Sequence, residues 1–487
     1  MPSFNRRRIL AGFAGCALEG VMGLPAASAS EAAYDLVIVG AGGAGLTAAC
    51  IALGAGARRV AVLESEPVVG GSSAICGGLW AVSGTELQRK LHIQDSDERF
   101  YQDILEIGQH RNSEEQVRAY IDNNRRQFNW VRSTLGIEAR TVVPGAGVER
   151  AHAMNPRALV AGLYRRARSM GADIFCSMRA GTLDQDRRSG RICGCQAVKG
   201  GKIYNFKSRA GVVLATGGFG RNRAMLAAFS PRMRFVSSIF AQGSRGDGLR
   251  MARSVGAGLS DMQYLRGSYA FTLNPSTVDD MTLISYYGAV IVNSDSHRFV
   301  DESLPYQKIA DSVLMQTGGR SWLVFDEKIR KEALAHPFDR HLWEPLSRGR
   351  VPSYVIRGRT LKEAAGAAGL DPVELQKSID AYNVSLKGGH PPRGKLSNAD
   401  PALLPVAEPP FFIMPATVCL LGTYCGVTID GHARVLDRKG RVIPGLWAAG
   451  EVTGGLHGTT FIMGTGFSKA QVFGRIAALD AIAGAKS

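Results

Sequence analysis

Apolar positions along this chain change period repeatedly between that of a strand and that of a helix. Tyr34-Asp35-Leu36-Val37-Ile38-Val39 is a short run rich in β-branched residues, stopping at Gly40. A helical stretch follows to about Gly54, and Arg59 to Leu63 reads as a second strand. Strand, turn, helix and strand within about 30 residues outline a βαβ unit. Ser113-Glu114-Glu115-Gln116 has the form of a capping box that opens a long polar helix to about Leu135. Asn155-Pro156 sets a capping side chain and a first-turn proline before a helix that Gly171 can close. Residues 172 to 210 alternate as strands do, with turns at Ser189-Gly190 and Gly200-Gly201. Val212-Val213-Leu214-Ala215-Thr216 is a further buried-type strand, closed by Gly217-Gly218. Tyrosines then cluster: Tyr264, Tyr269, Tyr286, Tyr287 and Tyr306. Helical segments are expected over 360–369 and 371–387, a proline-rich crossing over 390–410, and a final strand-turn-helix from Leu446 to Ala483.

Composition narrows the class. The chain has 487 residues, 45% hydrophobic and 21% charged, a balance that excludes a disordered or collagen-like chain. At about 150 residues per domain it holds two or three folding units. The net charge is +16, but the Lys and Arg residues are scattered rather than blocked, so nucleic acid is not the expected partner. An acidic protein or an anionic membrane face remains open.

The first residues read as an export signal. Asn5-Arg6-Arg7-Arg8-Ile9-Leu10 resembles the twin-arginine consensus, an apolar stretch runs to Ala27, and Ala27-Ser28-Ala29 is a small-residue cleavage site. Residues 1–29 are therefore expected to be a leader to the periplasm, with a retained basic helix as the alternative. Phe13-Ala14-Gly15-Cys16 weakly resembles a lipoprotein box, and lipidation of Cys16 stays open. No membrane-spanning segment of about 20 apolar residues is expected after the leader. The cysteines show no zinc or CxxC spacing; Cys193-Gly194-Cys195 falls in an alternating stretch and reads as incidental, and no metal site is expected.

Gly40-Ala41-Gly42-Gly43-Ala44-Gly45 satisfies GxGxxG between a strand and a helix. Its first glycine permits the turn, the second admits a pyrophosphate to the backbone, and the third brings helix against strand. The helix N-terminus adds its positive dipole end. Glu64 ends the next strand, placed to accept hydrogen bonds from an adenosine ribose.

Further motifs follow: Glu66-Pro67-Val68-Val69-Gly70-Gly71-Ser72-Ser73, then Gly77-Gly78, Leu214-Ala215-Thr216-Gly217-Gly218-Phe219, Gly246-Asp247-Gly248, and Pro444-Gly445-Leu446-Trp447-Ala448-Ala449-Gly450-Glu451. In order and spacing these resemble the flavoprotein family of fumarate reductases, succinate dehydrogenase flavoprotein subunits and 3-ketosteroid dehydrogenases, from about residue 33 to 483. The resemblance implies FAD as cofactor. It places Ser72 and Ser73 near the flavin side, Asp247 and Glu451 at the ribose and ribityl regions, and Ala215, Thr216, Gly217, Gly466, Phe467 and Ser468 along the cofactor. Family members with covalent FAD carry a histidine in the segment occupied here by Gly70 to Gly78; none stands there, so FAD is expected to be non-covalent. One fingerprint argues against a second, NAD(P)H-binding domain, leaving an external electron partner such as a quinone, a cytochrome or oxygen.

On the substrate side the chain departs from the fumarate reductases, which clamp a dicarboxylate with two arginines and two histidines. By that resemblance the histidine positions fall at Ser268 and Gly422, and the arginine positions at Tyr306 and Phe461. Two carboxylates are not stripped of water without compensating charge. Tyr306, Tyr424, Phe461, Ile462 and Met463 suit a neutral, largely apolar ligand instead. Glu302-Ser303-Leu304-Pro305-Tyr306 resembles the ketosteroid dehydrogenase branch, in which a tyrosine here serves acid/base chemistry. That implies hydride exchange at a CH–CH or C=C bond next to a carbonyl, Tyr306 handling the α proton and Tyr424 orienting it or binding the carbonyl. A phenol titrates near pH 10, so a basic role needs a lowered pKa or a polar relay.

Alternatives stay open. Tyr306 and Tyr424 can be core tyrosines; His457 reads as support for flavin or backbone, and His152 as a loop residue without an evident partner. An organic-acid reductase of the fumarate or urocanate type would need relocated ligands such as Arg245 or Arg266. A flavin electron-transfer module would have no small substrate at all. The expected fold is α/β: a Rossmann-like FAD domain from both chain ends (33–265 and 411–487) and an inserted α+β capping domain (266–410).

Overall fold

The computed structural model describes residues 33–145, 148–336, 338–387 and 404–485. The expected leader over 1–29, Cys16 within it, and most of the proline-rich crossing lie outside these residues.

The βαβ unit forms as the pattern predicts, with strand Tyr34–Val39, helix Gly43–Gly54 and strand Val60–Leu63. These strands belong to an eight-stranded sheet. Across it run Arg434–Leu436, Val442–Ala448, Lys202–Leu214, Tyr34–Val39, Val60–Leu63 and Asp173–Phe175. The Arg179–Gln185 and Ile192–Lys199 hairpin is added to Lys202–Leu214. Val37 pairs in parallel with both Ala61 and Val212. All four residues of Val60–Leu63 are buried, the continuous apolar run expected of a parallel strand covered on both faces. Cys193 is exposed and Cys195 buried on one of these strands although residues two apart share a face in a regular strand; the alternation expected there is broken by a register shift that skips Cys193.

Two helices pack together beside this sheet, Gly43–Gly54 and the C-terminal Thr465–Gly484. Their approach depends on Gly474, where a Cβ would come within 2.4 Å of the Ala44 carbonyl oxygen. The predicted long helices occupy Glu114–Leu135 and Pro156–Ser169. Asn155 caps the second through the N–H of Ala158 at 3.0 Å. Ser113 caps the first, yet Gln116 does not close the box: its Nε2 donates to the Ile429 carbonyl at 2.9 Å. A tertiary bond has displaced the local one.

A six-stranded sheet is built around Phe411–Leu420, which pairs with Ser237–Ser238, Ser268–Thr272, Arg320–Asp326 and Ile356–Gly358. Phe325 and Phe412 stack at 5.4 Å in its core. Ser237–Ser238 and Phe411–Leu420 therefore sit in this sheet, across the boundaries expected at 265/266 and 410/411. The apolar run over 411–420 carried no mark of which sheet it would join.

His152 is also corrected. It lies in strand Val148–Ala153 and not in a loop, and it is fully buried. Its Nε2 is 2.8 Å from the Thr85 hydroxyl and its Nδ1 2.8 Å from the Arg150 carbonyl. Burial pulls its pKa down to about 4. Among the described residues no helix is long and apolar enough to cross a membrane.

Candidate active site and cofactor cavity

A cavity of about 480 Å³ runs from the fingerprint turn to the second sheet. It falls within the size range of about 300–1,000 Å³ typical of ligand and cofactor sites. Gly40, Gly42, Gly43, Ala44 and Glu64 line one part, with Gly71, Ser72, Ser73, Gly77 and Gly78 beside them. Ala215, Thr216, Gly217, Asp247, Glu451, Gly466 and Phe467 line it from the remaining motifs, and Tyr306 and Tyr424 line it as well. Motifs more than 400 residues apart in the chain thus share one wall.

The fingerprint glycines divide their work. Gly40 has φ +109°, and a Cβ there would meet the Ala215 oxygen at 2.3 Å. At Gly45 a Cβ would stand 1.8 Å from the Gly40 oxygen, so this glycine only lets the helix close on the strand. At Gly42 the nearest atom would be the Gly70 oxygen at 3.8 Å; a Cβ would point into the cavity, where a pyrophosphate needs bare backbone. Gly43 N–H donates to the Ser73 hydroxyl at 3.2 Å. The N–H groups of Ala44 and Gly45 find no acceptor among the described residues, which leaves the helix N-terminus open to an anion.

Glu64 is held rigidly. One carboxylate oxygen accepts from Ala41 N–H at 2.8 Å, the other from Ser65 Oγ at 3.1 Å and Glu66 N–H at 2.9 Å. Asp247 opens a helix and is clamped by Arg179, at 2.7 Å, and by Arg250. Glu451 accepts from the N–H of Thr423 at 2.8 Å and from its hydroxyl at 3.0 Å.

Three expected cofactor residues do not line the cavity: Gly45, Gly70 and Ser468. Gly45 serves helix–strand packing, as above. Gly70 has φ +129° and donates to the Ala41 carbonyl at 2.9 Å, holding the turn next to the fingerprint. Ser468 points into the core, 2.6 Å from the Tyr120 hydroxyl, and donates to the Gly464 carbonyl. Helix periodicity turns it a full face away from Gly466.

At the substrate side Phe461 stands between the two tyrosines. Its ring centroid is 6.3 Å from that of Tyr306 and 4.1 Å from that of Tyr424. Met281, Ile239, Leu421 and Met463 complete an apolar chamber, whereas Ile462 does not line it and is buried in the core. Arg245 and Arg266 do not enter the cavity. Arg245 donates to the Gln242 carbonyl at 3.0 Å, and Arg266 pairs with Asp311 at 3.0 Å. Glu302 is likewise committed, paired with Arg298 at 2.7 Å and accepting from Ile291 N–H at 3.0 Å.

Burial pushes the Tyr306 phenol well above its ordinary value, and burial with the nearby Glu451 charge does the same to Tyr424. The expected depression of Tyr306 is absent, since no cation or relay stabilises a phenolate; both phenols keep their protons at neutral pH. His457 sits edge-on to Tyr424 at 5.1 Å. Its Nε2 has no hydrogen-bond partner, and burial and the Lys469 charge hold the ring neutral.

Several cavity residues escaped the motif reading, Arg179, Asp279, His341, Cys76 and Lys469 among them. Cys76 lines the wall, its thiol donating to the Ser73 carbonyl at 3.3 Å and pushed up to about 11 by burial. Lys469 lines it from the C-terminal helix. The signal for Lys469 was present, a charge early in a largely apolar helix that also carries Arg475 and Asp480.

The cavity fits a dinucleotide. It offers bare glycine backbone at Gly42, unused N–H groups at the helix start, and the buried, unpartnered Thr216 hydroxyl. Buried polar groups left without partners are costly, and a polar ligand along this wall satisfies them.

Comparison with known proteins agrees. The family model described as "FAD binding domain" matches residues 35–466. The chain is 30% identical over 462 residues to the fumarate reductase (cytochrome) of Shewanella frigidimarina, covering 93% of this chain and 78% of that one. It is 31% identical over 479 residues to the urocanate reductase of Eggerthella lenta, covering 92% and 74%. Among solved structures it is similar to the 3-ketosteroid Δ4-(5α)-dehydrogenase of Rhodococcus jostii in complex with 4-androstene-3,17-dione. That likeness has a TM-score of 0.76 and 25% identity, covering 93% of this chain and 97% of that one. The substrate branches differ while the cofactor frame is shared: the chain belongs to this FAD-binding family of flavin-dependent oxidoreductases, and its cofactor is FAD.

Proposed function

We propose that the protein exchanges a hydride at a CH–CH or C=C bond next to the carbonyl of an apolar, steroid-like, cyclic or aromatic substrate. One observation carries this reading: Tyr306 and Phe461, which by the resemblance stand at the arginine positions of a dicarboxylate clamp, pack with Tyr424, and among the described cavity residues the one arginine, Arg179, is engaged by Asp247. A buried carboxylate without a bidentate cation is too costly to bind.

FAD, when bound, supplies the hydride chemistry. The fingerprint turn and Glu64 would hold its nucleotide part non-covalently, and Ser72, Ser73, Glu451, Gly466 and Phe467 its flavin part. The chain's own task at the substrate is proton management. Tyr306 and Tyr424 remain protonated, so they act as donors: one phenol polarises the carbonyl, and Tyr306 delivers a proton to the α carbon when the double bond is reduced. Proton delivery leaves a phenolate that its surroundings oppose, so Tyr306 must regain a proton as the step completes, and the same cost meets proton removal in the reverse direction. Met281, Ile239 and Met463 exclude water around the donor. An external carrier, a quinone or a cytochrome, closes the electron cycle, and export by the leader would place the enzyme in the periplasm.

The test is turnover with reduced methyl viologen as donor and either 4-androstene-3,17-dione or fumarate as acceptor. Ketone turnover, with flavin-spectrum perturbation by the ketone, supports the reading. Brisk fumarate reduction sensitive to malonate overturns it and leaves the organic-acid reductase.

A further inference from the structure

Lys469 is 1% exposed. An ammonium has three donors and no acceptor of its own. Among the described residues only one donor is used, to the Thr453 carbonyl at 2.7 Å. Asp261 and Glu451 act on it through charge, but neither forms an ion pair with it. Asp261 is engaged by Gly455 N–H at 2.7 Å and Glu451 by Thr423. Two donors of a buried cation thus lack a protein acceptor, in a residue that lines the cofactor cavity. Leaving them unpaired is expensive. Burial already pulls the ammonium down to about 8, against the upward pull of Asp261, Glu451 and Cys425.

The fingerprint sets the direction in which the cofactor lies, with the pyrophosphate at Gly42 and the adenosine ribose at Glu64. Lys469 stands away from that end, among Glu451, Cys425 and His457, the last of which abuts Tyr424. We propose that Lys469 is a cofactor contact of this chain: its ammonium donates to an acceptor on the flavin–ribityl half of FAD and, as the cation of this wall, favours the reduced flavin. The proposal rests on FAD being the cofactor, not on the ketone reading.

The test is a redox titration of FAD-loaded protein without substrate, comparing wild type with Lys469→Met, Lys469→Gln and Lys469→Arg. The expected result is a more negative flavin midpoint potential in the Met and Gln variants, with Arg close to wild type. FAD dissociation constants in the two neutral variants should rise roughly 10- to 100-fold, the worth of one charged hydrogen bond. An unchanged potential in either FAD-loaded neutral variant overturns the proposal. So does an equal loss of FAD in the Arg variant, which would mark Lys469 as packing alone. Circular dichroism of the apoproteins separates loss of fold from loss of cofactor. Because no ketone is present, neither outcome bears on the substrate assignment.

Discussion

The Tyr424 and Phe461 rings face each other at 4.1 Å, tilted by 39°, and Tyr424 holds this position with φ +46°. A tyrosine in the left-handed region is strained, and such strain persists only where its surroundings enforce it. Here the enforcement comes from Gly422 and Gly466: a Cβ at either would come within 2.6 Å of the Tyr424 ring. The ring is thus seated between two glycines and against a phenylalanine, its hydroxyl held at the substrate side.

Phe461→Arg tests whether the chamber depends on being uncharged. A guanidinium at this place would replace the ring that packs against Tyr306 and Tyr424 and would carry charge into their apolar surroundings. The variant should lose spectral binding of 4-androstene-3,17-dione by at least about 10-fold, the scale of an imperfectly compensated buried charge. Tight ketone binding retained in the variant would show that the ligand does not reach Phe461.

Tyr306→Phe removes the donor and leaves the ring. Ketone turnover should fall about 100- to 10,000-fold, the usual worth of a positioned general acid. Ligand-induced change in the flavin spectrum should persist. A variant with unaltered turnover would return Tyr306 to a packing role.

Gly42→Leu and Gly45→Ala should separate cofactor binding from folding. The Gly42 side chain would enter the cavity, so the apoprotein should keep its melting temperature while FAD is lost. At Gly45 the new methyl meets a backbone oxygen at 1.8 Å, and the apoprotein itself should lose about 1–3 kcal/mol. Denaturation with and without FAD distinguishes them.

His152 gives a pH signature. Its pKa falls from 6.5 unfolded to about 4 folded, so between these values the unfolded chain binds a proton that the native chain refuses. The contribution is fully present above pH 6.5 and is lost as pH falls toward 4, about 3 kcal/mol in all. In His152→Gln the urea midpoint should be lower at pH 7 but fall less steeply on acidification. An unchanged slope would assign the acid sensitivity to other groups.

The elements that carry the cofactor were legible because each has a local cause. Gly40 must be glycine for its backbone, Gly42 is needed only for the space a side chain would fill, and Ser113 and Asn155 cap helices through their own neighbours. What was not legible depended on tertiary partners. Phe411–Leu420 reads as a strand, but nothing in it says which sheet it enters. Gln116 has the right spacing for a local cap and binds Ile429 instead. Ser468 belongs to the right motif, yet the helix turns it toward Tyr120, while Lys469 one residue later reaches the cavity. Tyr306 lines the cavity beside Phe461, but its protonation follows from burial, which no motif encodes.

Trp447 and Ile38 both lie next to Val213 in the central sheet, so its middle is assembled from strands far apart in the sequence. A chain still on the ribosome has made the fingerprint long before it can make the strand at Val442–Ala448 or the helix at Thr465–Gly484. Until those last segments emerge, the nucleotide-binding turn is exposed on one side and the parallel pairing is incomplete, a slow and vulnerable interval for a topology of such distant pairings. A chain cut short before Val442 should accordingly be unable to retain the nucleotide however intact its first βαβ unit.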